Sequence, residues 1–358
     1  MVKKSFVLNK KKLFASTLAL ALCSSMIGPA NISIAAEETT TESNETMQQT
    51  EIAEAQKKNP LSPHEFIQAM LDGKDEKTYT QFSDTVKQWL PLEVWSGMLF
   101  YLNHGVEDYH LRKTTTLDGT TTYVWSDDAE SRVLHTHFDD EQKLTTNFYI
   151  LSGQQFSDTD QQRTTTSFSL PLSEEWYVLH GGTNAIDNKH YGVSNLNRYA
   201  YDFTIVKEHQ TYEGDAQKNE SYYAYGEEVI APAAGTVVVV ENSIVDNVPG
   251  EINNTQILGN HVVIDHGNNE YSYYLHLKQG SLAVNVGDQV SVGDLLGQVG
   301  NSGQSMAPHL HFQVSDDADI YEGKSIRLNW NDFDELVGGQ FVKKPTSENP
   351  CNHEQDMQ

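Results

Sequence analysis

Apolar residues are spaced in three different ways along the chain, and the changes between them divide it. Residues 13–27 form one apolar run behind Lys3, Lys4, Lys10, Lys11 and Lys12, followed by small residues at Ser33-Ile34-Ala35-Ala36. A cationic start, a short apolar stretch and a small-residue cleavage site mark an export signal, so residues 1–36 are read as a leader and the protein is expected to be secreted. A lipobox at Leu20-Ala21-Leu22-Cys23 is the competing reading, disfavoured because bulky Leu22 stands where a small residue is needed. Residues 37–58 are polar, rich in Thr, Glu and Gln and free of aromatics. They cannot bury enough surface to offset chain entropy, so an acidic, disordered linker is expected.

Helical spacing begins at Ser62-Pro63-His64-Glu65, where Ser62 and Glu65 suit a capping box and Pro63 suits the first helical position. Gly73 ends that helix, and two more are predicted over about 76–90 and 91–103. After Tyr109 the period shortens to two. A hairpin turning at Asp118-Gly119 is predicted, with further strands near Arg132–Phe138 and Leu144–Leu151. Helices first and strands after give an α+β accessory domain over 59–152. Its element order resembles that of accessory domains of the cystatin or nuclear-transport-factor type, and it carries no catalytic motif. His135 and His137 share one strand face there, read as solvated because no acid and histidine pair accompanies them.

Residues 153–171 read as a linker, and 172–344 as a second domain of short strands separated by Gly, Asn and Asp. Strands are predicted at 228–241, 261–265, 271–277, 289–299 and 309–314, with a turn at 265–268 and another at Gly293-Asp294 bending 289–299 into a hairpin. Close spacing without helices means an all-β domain of antiparallel sheets. Residues 345–358 are a polar tail.

Composition narrows the partners. The chain carries 50 acidic against 24 basic residues, a net charge of −26, so nucleic acid is excluded as a partner for lack of a basic footprint. Loss of the leader would remove five lysines and no acid. Retention on anionic polymers by simple attraction is disfavoured, and no later window suits stable membrane insertion. With only two cysteines, Cys23 and Cys351, there is no disulfide framework.

The sharpest chemical signal is Pro308-His309-Leu310-His311-Phe312. In an extended strand His309 and His311 leave one face about 6.6–7 Å apart while Leu310 and Phe312 enter the core. That pair suits a division in which one imidazole ligates a metal and the other faces substrate. Upstream lie His180-Gly181-Gly182, then Asn188-Lys189-His190-Tyr191, then Arg198-Tyr199-Ala200-Tyr201-Asp202-Phe203. A catalytic zinc takes three protein ligands and keeps a fourth position for water, a count that His190, Asp202 and His311 satisfy. His276, within Tyr273-Tyr274-Leu275-His276-Leu277, is a further strand imidazole placed to act beside the metal.

Over Trp176 to Val314 the sequence resembles the lysostaphin-like zinc endopeptidases that cut peptidoglycan peptides. The resemblance rests on motifs in order: Trp176, Gly181 and Gly182; His190 before Arg198–Phe203; Val229–Pro232; Gly259–Gly267; His276-Leu277; and Gly300–Gly303 leading into Pro308–Phe312. It implies one zinc held by His190, Asp202 and His311, with His276 and His309 as catalytic histidines. One departure is that His190 precedes Asp202 by twelve residues, against four in the commonest form. A long-insertion subgroup with an Arg-Tyr-Ala-x-Asp-Phe signature is the better match, and it favours His190 over the rival His180. The resemblance implies peptidoglycan peptides as substrate and a secreted, wall-associated protein. The alternative is a catalytically inactive wall-binding or regulatory module on the same scaffold. A secreted protein as target, and the oligomeric state, remain open at this level.

Overall fold

A computed structural model describes residues 60–344. The expected export signal (1–36), acidic linker (37–58) and polar tail (345–358) lie outside them. The described residues fall into two compact units, one comprising the chain up to Tyr109 with His135–Ile150, the other His110–Leu134 with Leu151 onward.

The first unit holds the helices Pro63–Leu71, Asp75–Tyr79, Asp84–Trp89 and Leu92–Asn103. The capping box forms at its start. The Glu65 amide donates to Ser62 Oγ, and the Ser62 amide donates to Glu65 Oε2 at 2.8 Å. The single helix predicted over 76–90 is interrupted, because the Ser83 hydroxyl caps a second helix by accepting from the Val86 amide and the Ser83 amide donates to the Leu144 carbonyl. Phe66, Phe82, Trp95 and Phe138 build the core, with Phe82 and Trp95 edge to face at 4.8 Å. His135 is buried, with its ring edge-on to Tyr149, so the solvated strand face expected there is corrected: four successive residues, Val133 to Thr136, are covered on both sides.

Among the described residues sixteen strands follow. They are β1 (His110–Leu117), β2 (Thr120–Ser126), β3 (Arg132–Phe138), β4 (Leu144–Ser152), β5 (Arg163–Phe168), β6 (Trp176–His180), β7 (Tyr201–Thr204), β8 (Glu228–Ile230), β9 (Gly235–Glu241), β10 (Asn260–Asp265), β11 (Tyr271–Leu277), β12 (Gln289–Val290), β13 (Leu295–Gln298), β14 (Leu310–Ser315), β15 (Ser325–Trp330) and β16 (Phe341–Val342). The β1–β2 hairpin turns at Asp118-Gly119, both with positive φ, and belongs to the second unit. Asp118 explains the attachment: its carboxylate accepts from the Thr211 amide at 2.7 Å and the Thr211 hydroxyl at 2.6 Å.

The second unit is built on one sheet of order β12-β9-β10-β11-β14-β7-β6-β16, antiparallel throughout, with β15 added beside β14. The predicted linker over 153–171 is not structureless. It contains a helical turn, Ser157–Asp160, and β5, which pairs parallel to β15 and donates from the Thr165 and Thr166 amides to Glu270. Residues 228–241 make two strands rather than one, because the run breaks around Pro232, which has no amide hydrogen. The turn at Gly293-Asp294 is present, but β12 pairs with β9 and β13 with β8, so the predicted 289–299 hairpin does not form.

Strand alternation positions the site. On β14, Leu310, Phe312 and Val314 join the apolar core while His311, Gln313 and Ser315 form a buried polar face. On β7, Tyr201 and Phe203 enter the same core and Asp202 and Thr204 take the polar side. Among the described residues no helix is long and apolar enough to cross a membrane.

Candidate metal centre

Sheet register brings the first two groups together. His311 on β14 lies directly opposite Asp202 on β7, and directly opposed residues on neighbouring strands share a face. His311 Nδ1 stands 2.9 Å from Asp202 Oδ1. His190 arrives from the 183–199 segment, which Asn188 holds in shape. The Asn188 amide group, fully buried, donates to the carbonyls of Gly182, Arg198 and Ala200, and its Oδ1 accepts from the His190 backbone amide at 2.9 Å. So held, His190 Nε2 stands 3.0 Å from Asp202 Oδ2.

Ligand atoms of His190, Asp202 and His311 lie within 4.8 Å of one another, the one group of three potential metal ligands among the described residues. His180 is not in it. Its ring packs edge-on behind His190 at 5.9 Å. The donor set suits zinc, with two imidazole nitrogens and a carboxylate oxygen on a buried face. The tautomer of His311 suits it too. Gln313 Nε2 donates to the Leu196 carbonyl, which leaves its Oε1 to accept from His311 Nε2–H at 2.9 Å. The lone pair of His311 is therefore on Nδ1, facing Asp202.

Asp202 is 1% exposed, and the positive charge of Lys189 lies 3.0 Å from its Oδ2. Burial would raise its pKa, but the charge of Lys189 and the hydrogen bond from His190 outweigh that and hold it well below the carboxylate value of 3.8. A buried negative charge ringed by imidazoles is a place that a cation stabilises.

His276 and His309 complete the cluster. Their rings are 5.0 Å apart, His276 is 5.9 Å from His311, and His309 Nε2 is 3.8 Å from Asp202 Oδ1. His276 sits on a bulge: one extra residue in β11 between its pairings with Asn260 and Val262, with His276 at φ +64. A left-handed conformation at a bulky residue is costly and here aims the ring at the site. His276 Nδ1 donates to the Ser302 carbonyl at 2.9 Å, and His309 Nδ1 to that of Ala307 at 2.9 Å. The Ser305 hydroxyl donates to Asn301 Oδ1, so toward His309 Nδ1 it only accepts. Both rings therefore keep a lone pair on Nε2. Burial is the main cause that pushes both pKa values down, His276 well below 6.5, so both are neutral bases near pH 7.

The 301–303 segment is buried support. Asn301 and Ser302 are fully covered, and Ser302 Oγ accepts from the Asn260 amide at 2.8 Å. Gly259 lies against it at φ +63, where a Cβ would collide with the Ser302 carbonyl oxygen. Gly259→Ala should displace the acceptor of His276 and lower turnover at least about tenfold. Metal content should stay unchanged, which elemental analysis beside the assay checks.

Several supporting residues escape a motif reading: Asn188, Lys189, Asn197, Ser302 and Gln313. Gln313 was open to it, since a residue two beyond His311 on a strand shares its face. His261 and His266 take structural roles. His261 Nδ1 donates to the Gly259 carbonyl and His266 Nδ1 to that of Ala234. Tyr199, Tyr201, Tyr273 and Tyr274 are buried packing residues.

Burial depresses the pKa of His190, to about 4, and those of His261, His266, His276 and His309 below 6.5. The unfolded chain binds protons on these rings below about pH 6.5 and the folded chain does not, so unfolding takes up protons. Metal-free protein should keep its full stability above pH 6.5 and lose it as pH falls toward 4, in the same direction as the Asp202 effect. Thermal melts in chelator across that range check this, and a flat profile would contradict it.

Residues 220–325 match Peptidase family M23, a stretch that contains His276, His309 and His311 but begins downstream of His190 and Asp202. The peptidoglycan DD-endopeptidase ShyA of Vibrio cholerae is 45% identical over 56 residues, 16% of this chain and 13% of that protein. ShyC of the same organism is 30% identical over 88 residues, 25% of this chain and 19% of that one. The chain spans less than a fifth of the length of the curated relatives it matches. Among solved structures, the catalytic domain of lysostaphin from Staphylococcus simulans is 22% identical, covering 43% of this chain and 88% of its own, with a TM-score of 0.25. The deep-sea M23 metalloprotease pseudoalterin is 15% identical, covering 51% and 100%, with a TM-score of 0.31.

Proposed function

We propose that this chain, whose residues 220–325 match Peptidase family M23, is a secreted zinc metalloendopeptidase acting on the peptides of bacterial peptidoglycan. The observation that carries the proposal is the convergence of His190, Asp202 and His311 at one buried point. ShyA and ShyC, named as peptidoglycan DD-endopeptidases, support the substrate class, and the leader-like first 36 residues support export.

His190 Nε2, His311 Nδ1 and an Asp202 oxygen would hold the metal. Zinc, when bound, supplies a Lewis acid that polarises the scissile carbonyl and eases ionisation of water. His276 and His309 present neutral Nε2 lone pairs beside that place, so either accepts a proton from the attacking water. The imidazolium so formed donates to the departing amine or to the oxyanion. The backbone carbonyls of Ser302 and Ala307 keep both rings in the required tautomer. No glutamate stands among the five residues, so histidine does the proton transfer.

Zinc-loaded protein incubated with purified peptidoglycan should release fragments with new amino and carboxyl ends, located by mass spectrometry of the muropeptides. Intact peptidoglycan with cleavage only of added proteins would move the substrate to polypeptides, and no cleavage of either would overturn the proposal.

A further inference from the structure

Asn197 is the residue of the 183–199 segment that reaches the far side of His190. Its Nδ2 lies 3.2 Å from His190 Nδ1, while its Oδ1 is buried with no hydrogen-bond partner. In this orientation Nδ2 donates to Nδ1, which places the ring hydrogen of His190 on Nε2, directed at Asp202 Oδ2 3.0 Å away. That arrangement suits a metal-free site. It does not suit ligation, because a nitrogen that carries a hydrogen has no lone pair for a metal.

Turning the carboxamide by 180° exchanges its two ends without moving a neighbour. Oδ1 then faces His190 Nδ1 and accepts its hydrogen, and Nε2 is left bare toward Asp202. Oδ1 has no partner in the present orientation, so the reversal gives up no hydrogen bond to it. Asparagine is suited to this because its side chain is donor at one end and acceptor at the other.

Resting on the metal-site reading above, we infer that Asn197 is a positioning residue whose carboxamide reverses when metal is loaded and fixes His190 in the tautomer that offers Nε2. The metal-free site is thereby kept folded with His190 hydrogen-bonded to Asp202. Outer-sphere partners of ligating histidines are worth about 10–100-fold in metal affinity. The twelve-residue separation of His190 and Asp202 makes room for such a partner within the same loop.

The test is the zinc affinity of the full chain, read by competition with a chromophoric chelator, for wild type, Asn197→Leu and Asn197→Asp, with circular dichroism to confirm folding. Asn197→Leu should weaken zinc about 10–100-fold. Asn197→Asp, which only accepts, should match or exceed wild type. Nitrogen-15 spectra of metal-free protein give a second readout: His190 should hold its hydrogen on Nε2 in wild type and on Nδ1 in Asn197→Asp. Wild-type affinity in Asn197→Leu, or an unchanged His190 tautomer in Asn197→Asp, would overturn the inference while leaving the metal site standing. A wild-type chain that binds no zinc would overturn the metal-site reading itself, and the tautomer measurement would still be decided on its own.

Discussion

His309→Ala is expected to bind one zinc with nearly wild-type affinity and to lose hydrolysis by about 10²–10⁴-fold, the usual worth of a positioned acid or base. His309 Nε2 lies 3.8 Å from Asp202 Oδ1, close to the site but beyond the contacts made by His190 and His311, and its ring is fixed from behind by the Ala307 carbonyl. Removing the ring takes a base from the reacting centre without taking a donor from the metal. His276→Ala should behave alike, with a similar loss of turnover. A kcat that stays within a factor of about three in both variants would mean that neither ring transfers a proton.

His311→Ala should act one step earlier and abolish metal binding. His311 supplies one of three donors, and its Nδ1 is aimed by Gln313 from the opposite side. Loss of a donor should cost more than the roughly 100-fold that loss of a supporting residue costs. Asp202→Asn should do the same through charge, since a neutral amide offers the metal no negative ligand and leaves Lys189 without its counter-charge. Metal analysis after dialysis checks both variants, and stoichiometric zinc in either would show that the metal lies elsewhere. The contrast with His309→Ala is the useful one, because a merely unfolded domain would lose zinc in all of them.

How much of this was legible beforehand depended on range. Residues that act through the period of one strand were readable: His309, His311, Leu310 and Phe312 sort to two faces by alternation alone, and the structure places them so. The capping box at Ser62 and the turn at Asp118-Gly119 are equally local. What depended on distant partners was not readable. The 153–171 segment looked like a linker because its polar threonines have no apolar period, yet β5 forms there by pairing with β15 and by the grip of Glu270. The 289–299 run kept its turn and lost its hairpin because β8 and β9 compete for its two halves. Within the site, Asn188 and Asn197 serve through a folded loop whose shape no spacing rule states, and His276 is aimed by a bulge whose position depends on β10.

The central claim is that two imidazoles and one carboxylate, His190, His311 and Asp202, hold the metal. X-ray absorption at the zinc edge of the zinc-loaded chain measures this directly. The account predicts two nitrogens at about 2.0–2.1 Å and oxygen at about 2.0–2.2 Å, with the multiple-scattering signature of two imidazole rings. A first shell of six oxygens, or one with sulfur, would contradict it.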